Sequence, residues 1–425
     1  MIRIFFDAWP LLLGMLLLMI GNGLQGTVLG LRGAHEGFDA QTMSWVMSAF
    51  FLGFLAGSSM TPRLIQRVGH VRVFAALGSL ISAALILYAA VPNPIVWAAM
   101  RLLVGFCFAG VYVVAESWLN ARATNDTRGQ TLSLYVIVQM TGIVSAQALV
   151  NLGDPAAYTL FVVMSVLVSV SFAPILLTVS PVPVFETAKP MSVGRLFRVS
   201  PFAMVGTLIL GGIFAAIFAM APIYATETGL SVAETTLFIA TIYVGGALCQ
   251  FPLGWLSDRM DRRRLIIAAT AIGAVITVLA VPAAGHFGAL LMIGFVIGGV
   301  ANPLYSLLIA YMNDYLEQDD MAAASGGLVF VNGLGAVGGP IAIGWIMSLM
   351  GPVGYFVWIA ALFAAIAAFG SYRATQRATP SDTGAYAPVL AQATPVAVTV
   401  AASLGYEDAE TEGKDAGRDG AGAPG

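Results

Sequence analysis

Residues 101–116 place a base, a phenol and an acid along one line. Arg101, Gly105, Phe108, Tyr112 and Glu116 follow one another at intervals of four, three, four and four. At about 3.6 residues per turn, such intervals fall on one helical face. The surrounding sequence is apolar, so this stripe predicts a face lining an aqueous cavity. Arg101 is expected to bind a solute or take part in proton coupling, the rival reading being a structural hydrogen-bond anchor. Glu116 either pairs with Arg128 or Arg72, or carries protons. Other polar residues interrupt apolar runs: Asn22 and Gln25, Tyr135 and Gln139, Tyr243 and Gln250, Asn302, Tyr305 and Ser306, and Asn332. About half are expected to face the cavity. The rest bond between helices, typically for under ~2 kcal/mol each.

Other chemistries find no support. The only lysines, Lys189 and Lys414, lie outside any phosphate-binding Gly-x-x-x-x-Gly-Lys-Ser/Thr context, so no intrinsic ATPase is expected. His35, His70 and His286 fall in different connections, and Cys107 and Cys249 each stand alone in an apolar run. No metal site, disulfide or cofactor is predicted, and no enzymatic activity. The net charge of −3 argues against nucleic-acid binding.

The elements that carry these residues follow from composition. The 425 residues are 59% hydrophobic and 10% charged, with a mean hydropathy of +0.87. Apolar runs of about 20 residues cross ~30 Å of hydrocarbon as helices, whose backbone satisfies its own hydrogen bonds. Twelve such spans are expected, near 9–31, 42–62, 73–92, 94–117, 130–151, 157–179, 201–223, 233–255, 265–284, 287–311, 323–348 and 352–371. The fold class is therefore an all-α membrane protein. The first run is too long for a signal-peptide core and is expected to be retained.

An even number of spans puts both termini on one side. All but two of the 19 Lys and Arg then fall on that side, which the positive-inside rule makes cytoplasmic. The exceptions are Arg32, on the other side, and Arg101, within a span. The densest charge is GWLSDRMDRRR (254–264), where six of eleven residues are charged, between spans 8 and 9.

The two halves read as copies. Arg67 and Arg72 recur as Arg259 and Arg264 at an offset of 192; Tyr112, Asn120 and Gly142 recur as Tyr305, Asn313 and Gly335 at 193. The organisation expected is a six-helix half (1–179), a polar cytoplasmic linker (180–200), a second six-helix half (201–372) and a disordered, dispensable cytoplasmic tail (373–425). Parallel six-helix repeats suit a transporter whose site lies between the halves near the midplane.

GWLSDRMDRRR resembles the loop signature of the major facilitator superfamily, Gly-x-Leu-Ala-Asp-Arg-x-Gly-Arg-Arg, through Gly254, Leu256, Ser257, Asp258, Arg259, Arg262 and Arg263, with Asp261 in place of glycine. The first-half copy, PRLIQRVGHVR, keeps Leu64, Arg67, Gly69 and Arg72 but has Pro62 for glycine and Gln66 for aspartate. Arg101 and Gly105 are similar to the family's helix-4 pattern, and GAVGGPIAIG (335–344) to its glycine-rich Gly-Pro motif. ESWLN (116–120) resembles bacterial members of poorly defined substrate. The likeness covers about 1–372. It implies gating by the loop residues Asp258, Arg259, Arg263, Arg67, Arg72 and Arg128, with Asp258 binding the start of helix 5 near Thr127 to Gln130 when that side is closed. The lock at uncharged Gln66 should be weaker. The glycines of helix 11 are expected to permit close packing.

The function expected is secondary active transport of a small organic solute by alternating access, coupled to protons. The alternatives are a facilitative uniporter and a non-transporting receptor or sensor on the same fold. Partners expected are the solute, protons and membrane lipid; the chain is expected to act as a monomer in the bacterial inner (plasma) membrane.

Overall fold

The computed structural model describes residues 2–122, 125–176, 190–283, 285–376, 386, 389 and 394–398; the side chains of 2–8, 121, 122, 125–129, 175 and 318 are not described. Among the described residues there is helix and no strand. The first half comprises α1 (Ile2–His35), α2 (Ala40–Val68), α3 (His70–Ala90), α4 (Pro94–Arg122), α5 (Asn125–Val150) and α6 (Thr159–Leu176). The second comprises α7 (Pro201–Glu227), α8 (Val232–Ser257), α9 (Arg262–Ala283), α10 (Phe287–Asn313), α11 (Gln318–Met350) and α12 (Gly354–Ala374). Eleven are long and apolar enough to cross a membrane. The remaining one, α6, is apolar but shorter, and the end expected for it, 177–179, lies outside the described residues. The helices overrun several expected spans, α4 reaching Arg122 and α11 starting at Gln318, because hydropathy marks only the lipid-buried part of a helix.

Local chemistry fixes the turns. Ser231 and Glu234 form a reciprocal capping box at the start of α8. Asp39 caps α2 by accepting from the Thr42 amide at 2.8 Å. Asp261, which departs from the glycine of the loop signature, caps α9 by accepting from the Arg264 amide at 3.0 Å. Gly69, between α2 and α3, has φ +85°, which a side chain would resist. Within α7, a π-helical turn at Ala216–Met220 interrupts the regular ladder, a feature often found beside functional sites.

Packing carries the repeat. In the first half α2 packs on α4, α1 on α5 and α6, and α3 on α4 and α6; in the second α8 packs on α10, α7 on α11, and α9 on α12. Equivalent glycines make the closest approaches. A Cβ at Gly53 would overlap the Leu102 carbonyl, and one at Gly105 that of Phe50. In the second half, Gly245 meets Phe295 and Gly298 meets Ile242 in the same way. Likewise Gly142 of α5 faces the Leu16 carbonyl of α1, and Gly335 of α11 the Leu208 carbonyl of α7. Every member of these sets recurs at the offset of 192 or 193. Small residues permit such approaches in membrane bundles, so the α11 glycines do serve packing. Gly338, by contrast, has nothing within 4 Å of a built Cβ. Gly335→Ala is therefore expected to lower the thermal unfolding temperature of detergent-purified protein, at a cost of about 1–3 kcal/mol, and Gly338→Ala to leave it unchanged or slightly raised.

The halves meet along α2 and α11, α5 and α8, and α1 and α7. The described part of the linker, 190–200, is seated and not merely a spacer. Its Met191 amide donates to Ala323 at 2.7 Å, its Leu196 is fully buried, and Arg195 pairs with Asp320 at 2.6 Å. A few tail residues are seated as well. Most of 377–425 lies outside the described residues, but Thr394 and Val398 are fully buried among the helices, and 395–398 form a helical turn. Those positions are not a disordered appendage.

Candidate functional site

The end of the bundle carrying Arg67, Arg72 and Arg259–Arg264 is called the basic end below. At the opposite end Arg32 is neutralised by Glu36 one turn on, at 2.6 Å. There the halves touch directly. Gly30 of α1 abuts Pro222 of α7, Ser48 of α2 donates to the Val337 carbonyl of α11 at 2.5 Å, and Asn151 donates to Thr236 of α8 at 2.9 Å.

A central cavity lies between the halves, lined by Asn22, Gln25, Thr27, Arg101, Gln147 and Tyr243 together with Phe50, Phe51 and Phe218. Its free volume is about 40 Å³, room for a few waters rather than an organic solute. Arg101 is 3% exposed. One terminal nitrogen reaches Met47 Sδ at 3.2 Å, and the guanidinium lies 4.6 Å from the Phe50 ring centroid. These contacts are soft, and among the described residues no carboxylate pairs with it. Gln25 Oε1 is buried without a hydrogen-bond partner. Opposite, Tyr243 stacks on Phe218 at 5.5 Å and 13°, beside the π-helical turn that sets Ile217 and Phe218 into the wall.

A second, mostly apolar cavity adjoins the first at Phe50, Phe51 and Phe218. It is lined toward the basic end by Phe54, Ser58, Tyr305, Val329 and Asn332. Asn332 donates to the Thr207 carbonyl at 3.3 Å, and Tyr305 packs edge-on against Phe214. The α4 stripe runs alongside. Tyr112 accepts from Asn22 at 3.0 Å and lies 3.4 Å from Met19 Sδ. Glu116 is 4% exposed. It accepts from Tyr135 at 3.3 Å, from the Thr394 hydroxyl, and from the Ala397 amide at 3.2 Å. The pairing of Glu116 with Arg72 does not form, since Arg72 is exposed; the Arg128 side chain lies outside the described residues.

The candidate residues therefore divide. Asn22, Gln25, Arg101 and Tyr243 share the central cavity; Tyr305 and Asn332 share the second. Asn302 does not join them: it bonds its own helix at the Gly298 carbonyl, 3.3 Å away, against Gly246. Gln139 is buried on α5 outside both linings. The sequence reading missed Gln147, which accepts from Thr27 at 3.0 Å and lies on α5 like Gln139. It also missed the aromatic wall, whose residues look like any other lipid-phase phenylalanine.

At the loop signature, Asp258 bonds none of the described residues at the start of α5. Its Oδ1 accepts from the Tyr386 amide at 2.9 Å and lies 3.8 Å from Arg262. Arg259 caps the Trp255 ring at 4.2 Å and bonds the Trp255 carbonyl. Arg263 is nearly buried and Arg67 exposed. One interaction was not indicated by the sequence: Arg262 pairs at 2.5 Å with Asp314, the residue that ends α10, both side chains almost fully buried, and donates to Ser257 at 2.9 Å.

A membrane-spanning bundle of two related six-helix halves enclosing a polar cavity has the architecture of a solute carrier. The sequence matches the model of the Major Facilitator Superfamily over residues 11–244 and 203–404, and the chain belongs to that family. It is similar to "Uncharacterized MFS-type transporter YcaD" of Escherichia fergusonii, 25% identical over 78% of this chain and 86% of that one. It is also similar to an uncharacterized MFS-type transporter of Enterobacter sp. strain 638, 24% identical over the same shares. Among solved structures, the D323A mutant of the nucleoside transporter NupG superposes with a TM-score of 0.75 at 14% identity, covering 86% of this chain and 98% of that one. A bacterial homolog of the human lysosomal transporter Spinster, solved inward-facing and unoccupied, gives 0.64 at 15% identity over 96% and 98%. The protein is thus a multi-pass membrane transporter and not an enzyme.

Proposed function

We propose that this protein is a secondary active transporter that moves a small organic solute bearing an anionic group, by alternating access and with proton coupling. The observation that carries the reading is the buried Arg101 guanidinium on the inter-half cavity, without a carboxylate partner among the described residues. A charge within a membrane span costs about 2.5–3.5 kcal/mol on insertion scales. A solute anion would offset that cost, and the planar fork suits a carboxylate or phosphate. The aromatic wall and the amides of Asn22, Gln25 and Gln147 suit the organic remainder of the solute. Glu116, buried on the same helix face with no ion pair among the described residues, is the proposed proton carrier. The distribution of Lys and Arg supports a cytoplasmic location for both termini.

The test is a thermal-shift screen of organic anions and matched neutral analogues, followed by flux of each stabilising solute in proteoliposomes. Anions should stabilise in preference to their neutral analogues, and an imposed pH gradient should drive their accumulation. Flux that only equilibrates, indifferent to the pH gradient, would make the protein a uniporter. Stabilisation without flux would make it a receptor.

A further inference from the structure

We infer that the mouth of the cavity at the basic end is a peptide-binding site, and that its occupant is the chain's own C-terminal segment, held there at Tyr386, Val389 and residues 394–398. The contacts fall on both halves. From the first half, Glu116 of α4 accepts from the Thr394 hydroxyl and, through the same oxygen, from the Ala397 amide. From the second half, Ser306 of α10 makes a two-point contact with the peptide backbone, accepting from the Val389 amide at 2.9 Å and donating to the Val389 carbonyl at 3.2 Å. Gln250 of α8 holds that hydroxyl at 3.2 Å. Asp258 accepts from the Tyr386 amide, and the Tyr386 ring lies against Gly254, where an added Cβ would come within 2.6 Å of it. Pro395 lies across Gly326 of α11.

The chemistry of segment and site agrees. Residues 386–400, YAPVLAQATPVAVTV, contain no charge, whereas residues 407–418 carry seven acidic or basic side chains. Small and β-branched residues fit a narrow dry cleft, and Val389, Thr394, Ala397 and Val398 are all at most 5% exposed. Buried polar groups require partners, and the peptide supplies two of the three donors that the Glu116 carboxylate accepts from described residues. Reach is sufficient. Eleven residues lie between the end of α12 at Ala374 and Tyr386, and the twelve steps from one to the other span up to about 40 Å when extended.

The consequence concerns access. The far end of the bundle is shut by direct helix contact, and the segment sits in the mouth at the basic end. On this inference a solute entering or leaving at the basic end must displace the segment. The segment also occupies the Glu116, Asp258 and Ser306 groups, and release of one contact weakens the hold on the others.

The inference is tested without knowing the solute, so its outcome stands apart from that of the proposed function. Val329→Cys, on the second cavity, is introduced into a background with Cys107 and Cys249 replaced by serine, and a water-soluble maleimide reports its accessibility in detergent-purified protein. Three forms are compared: the full chain, a deletion of 386–400, and the full chain with Thr394→Val and Ala397→Pro, which removes the two donors that the segment offers to Glu116. Deletion should raise the labelling rate at least tenfold and the double variant should raise it severalfold. A synthetic peptide of sequence 386–400 added to the deletion should restore protection, and a scrambled peptide should not. Equal labelling of all three forms overturns the inference, as does equal protection by the scrambled peptide. Should the deletion fail to fold, the double variant with and without added peptide decides on the same readout.

Discussion

Arg101→Met and Arg101→Lys are expected to reach the membrane folded and to lose gradient-driven solute flux by at least ~100-fold, which corresponds to about 2.7 kcal/mol of lost transition-state stabilisation. The two variants separate the possible roles of the side chain. Met removes the charge and roughly fills the space, so the cost of burying an uncompensated guanidinium disappears with it. The thermal unfolding temperature of Arg101→Met should therefore hold or rise while flux is lost, as happens when a site is kept at the expense of stability. Lys keeps a charge but offers no planar fork, and sheds its proton more readily when buried. It should bind the anion poorly and transport as badly as Met. A purely structural Arg101 would give the opposite pattern. Its contacts with Met47 and Phe50 would be missed, the unfolding temperature would fall, and the surviving protein would transport normally. Measuring unfolding and flux on one preparation decides between them.

Much of this arrangement is legible in the sequence, for identifiable reasons. Spans announce themselves because lipid admits only self-satisfied backbone. The repeat was visible in Tyr112 and Tyr305, and the glycine contacts at Gly53 and Gly245, or Gly105 and Gly298, give it a cause: the same interhelical approach is needed twice. Arg101 stands out because a cation within an apolar run is rare. What stayed hidden depends on partners that composition does not name. Asn302 looks like a cavity residue but faces the α8–α10 crossing, where it bonds its own backbone. Asp261 looks like a flaw in the loop signature and is a helix cap. The buried tail residues are not legible in composition, because residues 373–425 taken as a whole are rich in Ala, Thr, Pro and Gly with scattered acids. The uncharged window 386–400 differs from the charged stretch after it, and that contrast was their only signal.

The loop signature provides the second large effect, because the two halves solve one packing problem differently. Arg262 opens α9 as His70 opens α3, at the offset of 192. In the second half Arg262 forms a buried pair with Asp314 of α10. In the first, His70 stacks on Trp118 of α4, with ring centroids 6.3 Å apart and planes 23° apart. Truncating one member of a buried ion pair strands the other charge, typically at 3–5 kcal/mol. Replacing one flat ring by another of similar volume costs under about 1.5 kcal/mol. Arg262→Ala should therefore destabilise the protein by about 3–5 kcal/mol in thermal or denaturant unfolding, and His70→Phe by much less. The double variant Arg262→Ala with Asp314→Ala should recover part of the loss, because it removes the carboxylate that the Arg262 guanidinium had faced, and the coupling energy from the full cycle should be 1 kcal/mol or more. Additive losses in the double variant would mean that Arg262 acts through packing and its bond to Ser257 alone. Recovery would place the ionic link between α9 and α10 at the base of the second half, adjacent to Asp258, which carries the tail. The loop would then combine a fixed ion pair that holds its own half together with a neighbouring carboxylate left available for a contact that can be made and broken.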